Sequence, residues 1–118
     1  MFRSLPLALL LLPASMLAAD AEHGRQIFLQ CAACHGNHGQ GGEAAPPLAG
    51  VFGRKAGSVE DFRYSPAMKR SGLVWDEANL QAFATDPQAM VKGTRMPFDG
   101  LHDAAAAADV VAFIKELK

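Results

Sequence analysis

Cys31, Cys34 and His35 are three reactive side chains within five residues, Cys31-Ala32-Ala33-Cys34-His35. Spaced three apart on a helical turn, the two thiols can each form a thioether to one of the two vinyl groups of a porphyrin, and the imidazole that follows then lies under the iron. The spacing predicts one haem c bound covalently through two thioethers, with His35 as its proximal ligand. Two other uses of these residues fit less well. A redox-active thiol pair would follow a strand in a βαβ unit, and nothing upstream of Cys31 has a strand pattern. A zinc knuckle needs about four nitrogen or sulfur ligands, and the chain has only these 2 cysteines.

An iron held by one histidine has a second axial position to fill. The candidates are Met68, Met90, Met96, His23, His38 and His102. Most methionines are core filler, and His38 follows His35 so closely that it can hardly reach the other haem face. Met96 sits in Gly93-Thr94-Arg95-Met96-Pro97-Phe98, an irregular stretch where proline limits helix continuation and a side chain can be presented to a ligand site. The reading favours Met96.

These groups need elements to carry them. Gly24 to Ala33 has the apolar spacing of a helix, with the haem motif at its end. The glycine-rich run from Gly36 to Gly42 cannot continue it, and since no strand precedes it, a chain passing close to a haem edge is a better use of its glycines than a phosphate cradle. Ser65-Pro66 through Gly72 reads as a short capped helix. Asp76 caps a helix over Glu77 to Thr85 with Leu80 and Phe83 on one face, Asp86-Pro87 starts another that Gly93 stops, and Asp103 to Leu117 is an alanine-rich helix whose apolar stripe is Val110, Val111, Phe113, Ile114 and Leu117. No strand pattern, repeat or linker appears. The expectation is a small all-α single domain, short helices and loops wrapped around a haem that supplies much of the apolar core.

Residues 1–21 read as a cleaved secretory signal peptide. Arg3 precedes an apolar run from Leu5 to Leu17 that Pro6 and Pro13 interrupt, too short for the roughly 20 residues of a membrane span. Ala19-Asp20-Ala21 fits a cleavage site, so a mature chain of residues 22–118 is expected, with a start at Asp20 as the alternative. Both cysteines belong to the haem motif, which leaves none for a lipid anchor or a structural disulfide. Cleavage after Ala21 removes Arg3 from the 11 basic residues and Asp20 from the 12 acidic ones. A nearly neutral chain argues against nucleic acid and against strong attraction to a membrane surface.

From Gly24 onward the chain resembles the class I cytochromes c of the small soluble mitochondrial and bacterial type. The likeness is carried by Gly24-Arg25-Gln26-Ile27-Phe28, Cys31 to His35, Pro46-Pro47-Leu48, Gly50 to Lys55, Tyr64-Ser65, Gly72-Leu73-Val74-Trp75, Gly93-Thr94-Arg95-Met96 and Ala108 to Phe113. These occur in the family order. The resemblance implies that Met96 is the distal sulfur ligand and that the Pro46 carbonyl orients His35. It also places Arg54, Tyr64, Trp75 and Thr94 around the haem propionates, and Gly24 and Phe113 at the crossing of the first and last helices. Two positions depart from the family pattern. Phe83 stands where many relatives carry a tyrosine, and Met68 where many carry an asparagine near a buried water, so both changes remove polar groups. The function implied is one-electron transport in the bacterial periplasm by a non-enzymatic, monomeric carrier that meets redox protein partners. A haem subunit docked on one dehydrogenase or oxidase is the alternative, and a ligand-binding or peroxidatic haem protein is a more distant one. Arg25, Lys69, Arg70, Lys92 and Arg95 are candidates for a basic docking patch.

Overall fold

The computed structural model describes residues 18–118 and, of the segment before them, Ser4 alone. The apolar run expected to be a leader lies outside the described residues. Among the described residues there are five helices in order: α1 (Ala21–His35), α2 (Pro66–Arg70), α3 (Glu77–Thr85), α4 (Pro87–Met90) and α5 (Ala104–Ile114).

Each helix starts on a side chain that accepts from an otherwise orphaned backbone N–H. Asp20, Ser65, Asp76, Asp86 and Asp103 accept from the amides of His23, Met68, Asn79, Ala89 and Ala106. Proline follows the cap in α2 and α4, where its missing N–H costs nothing. The bounds of α3 agree with the sequence reading, whereas α1 runs three residues further at its start and two at its end. Asp20 provides the cap that permits the earlier start.

The core is organised by the packing of α1 against α5, with α3 lying on α5 and α4 on α3. On α5, Ala107, Val110, Val111 and Ile114 are buried at i, i+3, i+4 and i+7, so one face is wholly apolar. On α1 the corresponding face is Gly24 and Phe28. A Cβ at Gly24 would stand 1.9 Å from the Asp109 carbonyl oxygen, so only glycine admits the crossing at this distance. Phe28 and Phe113 pack one turn further on, with ring centroids 5.1 Å apart. The expected roles of Gly24 and Phe113 are thus both visible.

Between α1 and α2 the chain is irregular. Among the described residues the one element of sheet-like pairing is an antiparallel bridge between Lys55, in this stretch, and Val74, beyond α2, which the sequence did not signal. Around it Gly53 N–H donates to Trp75 O, Trp75 N–H to Arg54 O and Ala56 N–H to Leu73 O. This short ladder sets Arg54 beside Trp75 although 20 residues separate them in sequence.

Candidate haem site

The end of α1 carries the motif residues. Phe28 and Gly24 fix the helix against α5, and Cys31 and His35 emerge at the far end on the inward side. His35 is buried, Cys31 half-buried and Cys34 exposed. Cys31 and Cys34 are not joined in a disulfide, and before any attachment burial would push the Cys31 thiol up to about 11.

His35 Nδ1 lies 2.8 Å from the Pro46 carbonyl oxygen. A carbonyl only accepts, so the proton sits on Nδ1 and the lone pair on Nε2. Burial holds the imidazole below the ordinary histidine range, and the nearby Arg54 cation pushes the same way, against the Pro46 hydrogen bond that raises it. The result is a neutral imidazole in the tautomer that ligates a metal through Nε2. The loop that brings Pro46 into place is tied to α1 by Gly41, whose N–H donates to His35 O at 2.7 Å.

His35, Cys31 and Cys34 open onto a cleft with about 1400 Å³ of atom-free space, part of it open to solvent. Its walls are mostly apolar and include Leu48, Val51, Leu80, Phe83, Val110 and Ile114. Pro46, Arg54, Tyr64, Trp75, Thr94 and Met96 line it too, so every residue expected at the site from the sequence meets there. The competing axial candidates divide. Met68 lines the cleft, whereas Met90, His23, His38 and His102 do not, and those three histidines are exposed. Phe83 and Met68 both face this space, so the two positions that depart from the family pattern place apolar groups in it.

The charge of the lining is one-sided. Arg54, Arg63 and Arg95 contribute to it, and among the described residues no carboxylate does. A broad apolar slot with cationic and hydroxyl donors along its border suits a flat apolar macrocycle that carries two carboxylates, which is the chemistry of haem with its propionates. Arg54 donates to the Pro47 carbonyl in this structure, and so also braces the residue next to the one that orients His35. Arg63 and the buried Ser65 were missed as lining residues. The sequence shows Ser65 only as a helix cap, and an isolated arginine in a loop carries no signal of where it points.

Comparison with known proteins agrees. The family model for Cytochrome c matches residues 21–118. This chain belongs to the cytochrome c family. It is 40% identical over 118 residues to cytochrome c2 of Blastochloris viridis, a match covering 97% of this chain and 93% of that one. It is 45% identical over 103 residues to cytochrome c2 of Rhodoblastus acidophilus, covering 86% and 95%. Among solved structures, cytochrome cH from Methylobacterium extorquens superposes with a TM-score of 0.76 at 41% identity, covering 82% of this chain and 98% of that one. The fold is that of a class I cytochrome c, and the cofactor is one haem c bound covalently through Cys31 and Cys34.

Proposed function

We propose that this cytochrome c is a periplasmic one-electron carrier whose haem iron is held by His35 and Met96. One observation carries the reading: a single apolar cleft receives both His35, in the tautomer with Nε2 free, and Met96, and none of the other axial candidates except Met68. The likeness to the cytochromes c2 of Blastochloris viridis and Rhodoblastus acidophilus supports carriage rather than catalysis. Bound haem supplies a ferrous/ferric couple, and a histidine and thioether ligand pair favours a comparatively high potential. The chain does the rest. Pro46 orients the imidazole, Tyr64, Trp75, Thr94 and Arg54 would hold the propionate edge, and the apolar walls would keep water from the metal. Were His35 and Met96 both to ligate the iron, no substrate would have a place to bind there, which would separate a carrier from an enzyme.

The reading includes export and removal of a leader. Here the fold bears on the cleavage point between residues 19 and 21. Asp20 caps α1, its N–H donates to Asp109 Oδ1 at 2.8 Å and its carbonyl accepts the Gly24 N–H at 2.9 Å. A cut after Ala21 removes all three interactions. A cut after Ala19 keeps them and turns the Asp20 nitrogen into an ammonium beside Asp109, so a mature start at Asp20 suits the fold better than one at Glu22. Among the described residues no helix is long and apolar enough to cross a membrane. The partners are redox proteins, met transiently by a monomer. Within the candidate basic patch, Arg25 is occupied by Glu22 at 2.5 Å, which leaves Lys69, Arg70, Lys92 and Arg95 to set the field.

A redox titration of periplasmic holoprotein under visible spectroscopy tests the reading, together with carbon monoxide addition and intact mass. A low-spin protein that ignores carbon monoxide when reduced, titrates as one electron and begins at Asp20 supports it. Ready carbon monoxide binding overturns the carrier in favour of a ligand-binding protein. Co-purification with one large subunit at high salt overturns it in favour of a docked subunit.

A further inference from the structure

Met96 has no helix beneath it. It belongs to a loop that leaves α3 at Asp86 and returns to the end of α3 at Leu101 and His102, whose N–H groups donate to Ala84 O and Thr85 O at 2.9 and 3.0 Å. Within that loop α4 lasts only from Pro87 to Met90, and residues 91–94 then turn sharply, with Thr94 N–H donating to Val91 O at 3.0 Å. The turn leaves two backbone groups over, the Gly93 N–H and the Thr94 carbonyl. The side chain of Gln88 takes both. Its Nε2 donates to Thr94 O at 2.9 Å, and its Oε1 accepts from Gly93 N at 3.1 Å. A carbonyl only accepts and an amide N–H only donates, so one orientation of the glutamine amide satisfies the pair. Among the described residues no other side chain hydrogen-bonds the backbone of residues 91–94.

We infer that Gln88 is a positioning residue that clamps the Met96 loop shut, and so sets how easily the distal sulfur yields its place to an external ligand. The inference rests on the reading of Met96 as the axial ligand. Thr94 is the link between the two. It is buried, it receives the Gln88 donor at its carbonyl, and its Oγ1 accepts the Met96 N–H at 3.4 Å. A ligand that enters only when the loop is open sees its dissociation constant divided by the open fraction, so its apparent affinity is lowered in proportion to that fraction. Removing two hydrogen bonds from the closed state alone therefore raises apparent affinity without altering the pocket itself.

The test uses ferric holoprotein with imidazole as the probe. Gln88→Met keeps the length of the side chain and its helix propensity but neither hydrogen bond, and is expected to bind imidazole about tenfold more tightly than the parent. Faster exchange of the Gly93 amide and a weakened red sulfur-to-iron band are expected with it. Gln88→Glu sets a carboxylate against the Thr94 carbonyl, and is expected to behave like Gln88→Met near neutral pH and to regain the parent's affinity as the carboxyl is protonated. Imidazole affinity and Gly93 exchange equal to the parent's, whatever happens to thermal stability, would overturn the clamp. Met96→Ala is the control: loss of the band leaves the ligand reading standing on its own, whereas a retained band overturns both.

Discussion

His35 is carried by a helix of 15 residues pinned against α5, whereas Met96 is carried by a loop whose ends and middle are tied by hydrogen bonds. The first arrangement buries Phe28 and excludes any Cβ at Gly24, so the proximal side moves only if the helix crossing comes apart. The second buries Pro87, Val91 and Thr94 at its start, but no residue from Arg95 to Gly100 is buried, and the order of that stretch depends on a few polar contacts of modest net strength. Apolar packing thus holds the end that is covalently attached to haem, and hydrogen bonds hold much of the loop that carries Met96.

The largest effect should come from breaking the packed side. Gly24→Val drives a branched side chain into the Asp109 carbonyl, and a cost on the order of 4 kcal/mol is expected. Denaturant unfolding of purified holoprotein measures it; a loss below about 1 kcal/mol would mean that the crossing is not the anchor of the proximal side.

A smaller and more local effect is expected on the loop. Gly100 has φ of 105°, and a Cβ there would lie 2.2 Å from the Thr85 carbonyl, which is where the returning loop meets α3. Gly100→Ala should displace that return and weaken the sulfur-to-iron band, with a stability loss of about 1–3 kcal/mol. A variant with lower stability and an unchanged band would show that the loop's return does not position Met96.

The smallest effect concerns pH at the start of α1. His23 Nδ1 lies 2.8 Å from Asp109 Oδ2. This hydrogen bond raises the histidine above its ordinary 6.5 and holds the carboxyl below its ordinary 3.8. The histidine's contribution is complete below its unfolded pKa and is lost as pH rises through its raised folded value. The carboxylate's is complete above its unfolded pKa and is lost as pH falls through its lowered folded value. The pair therefore helps most between about pH 4 and 6.5. His23→Ala should lower the melting temperature slightly in that window and leave it unchanged near pH 9; an equal loss at both would assign the effect to something other than the ion pair.

The same contrast explains what could be read from sequence. Helix α3 was legible because Asp76, the apolar pair Leu80 and Phe83 and the stop at Asp86-Pro87 all lie within one local stretch. The covalent site was legible because five consecutive residues carry its chemistry. Arg54 beside Trp75 was not legible from local pattern, since a bridge between distant segments brings them together, and only family likeness pointed to either. Gln88 gave no signal at all. An exposed glutamine on a helix looks like solvated surface until the turn at Gly93 and Thr94 is folded back over it.

The most direct test of the central claim is the red absorption of the ferric protein in the parent and in Met96→Ala, Met90→Ala and Met68→Leu. The account expects the weak sulfur-to-iron band to vanish in Met96→Ala alone, with carbon monoxide then binding the reduced form, and to persist in the other two. Persistence of the band in Met96→Ala, or its loss in Met68→Leu or Met90→Ala, would contradict it.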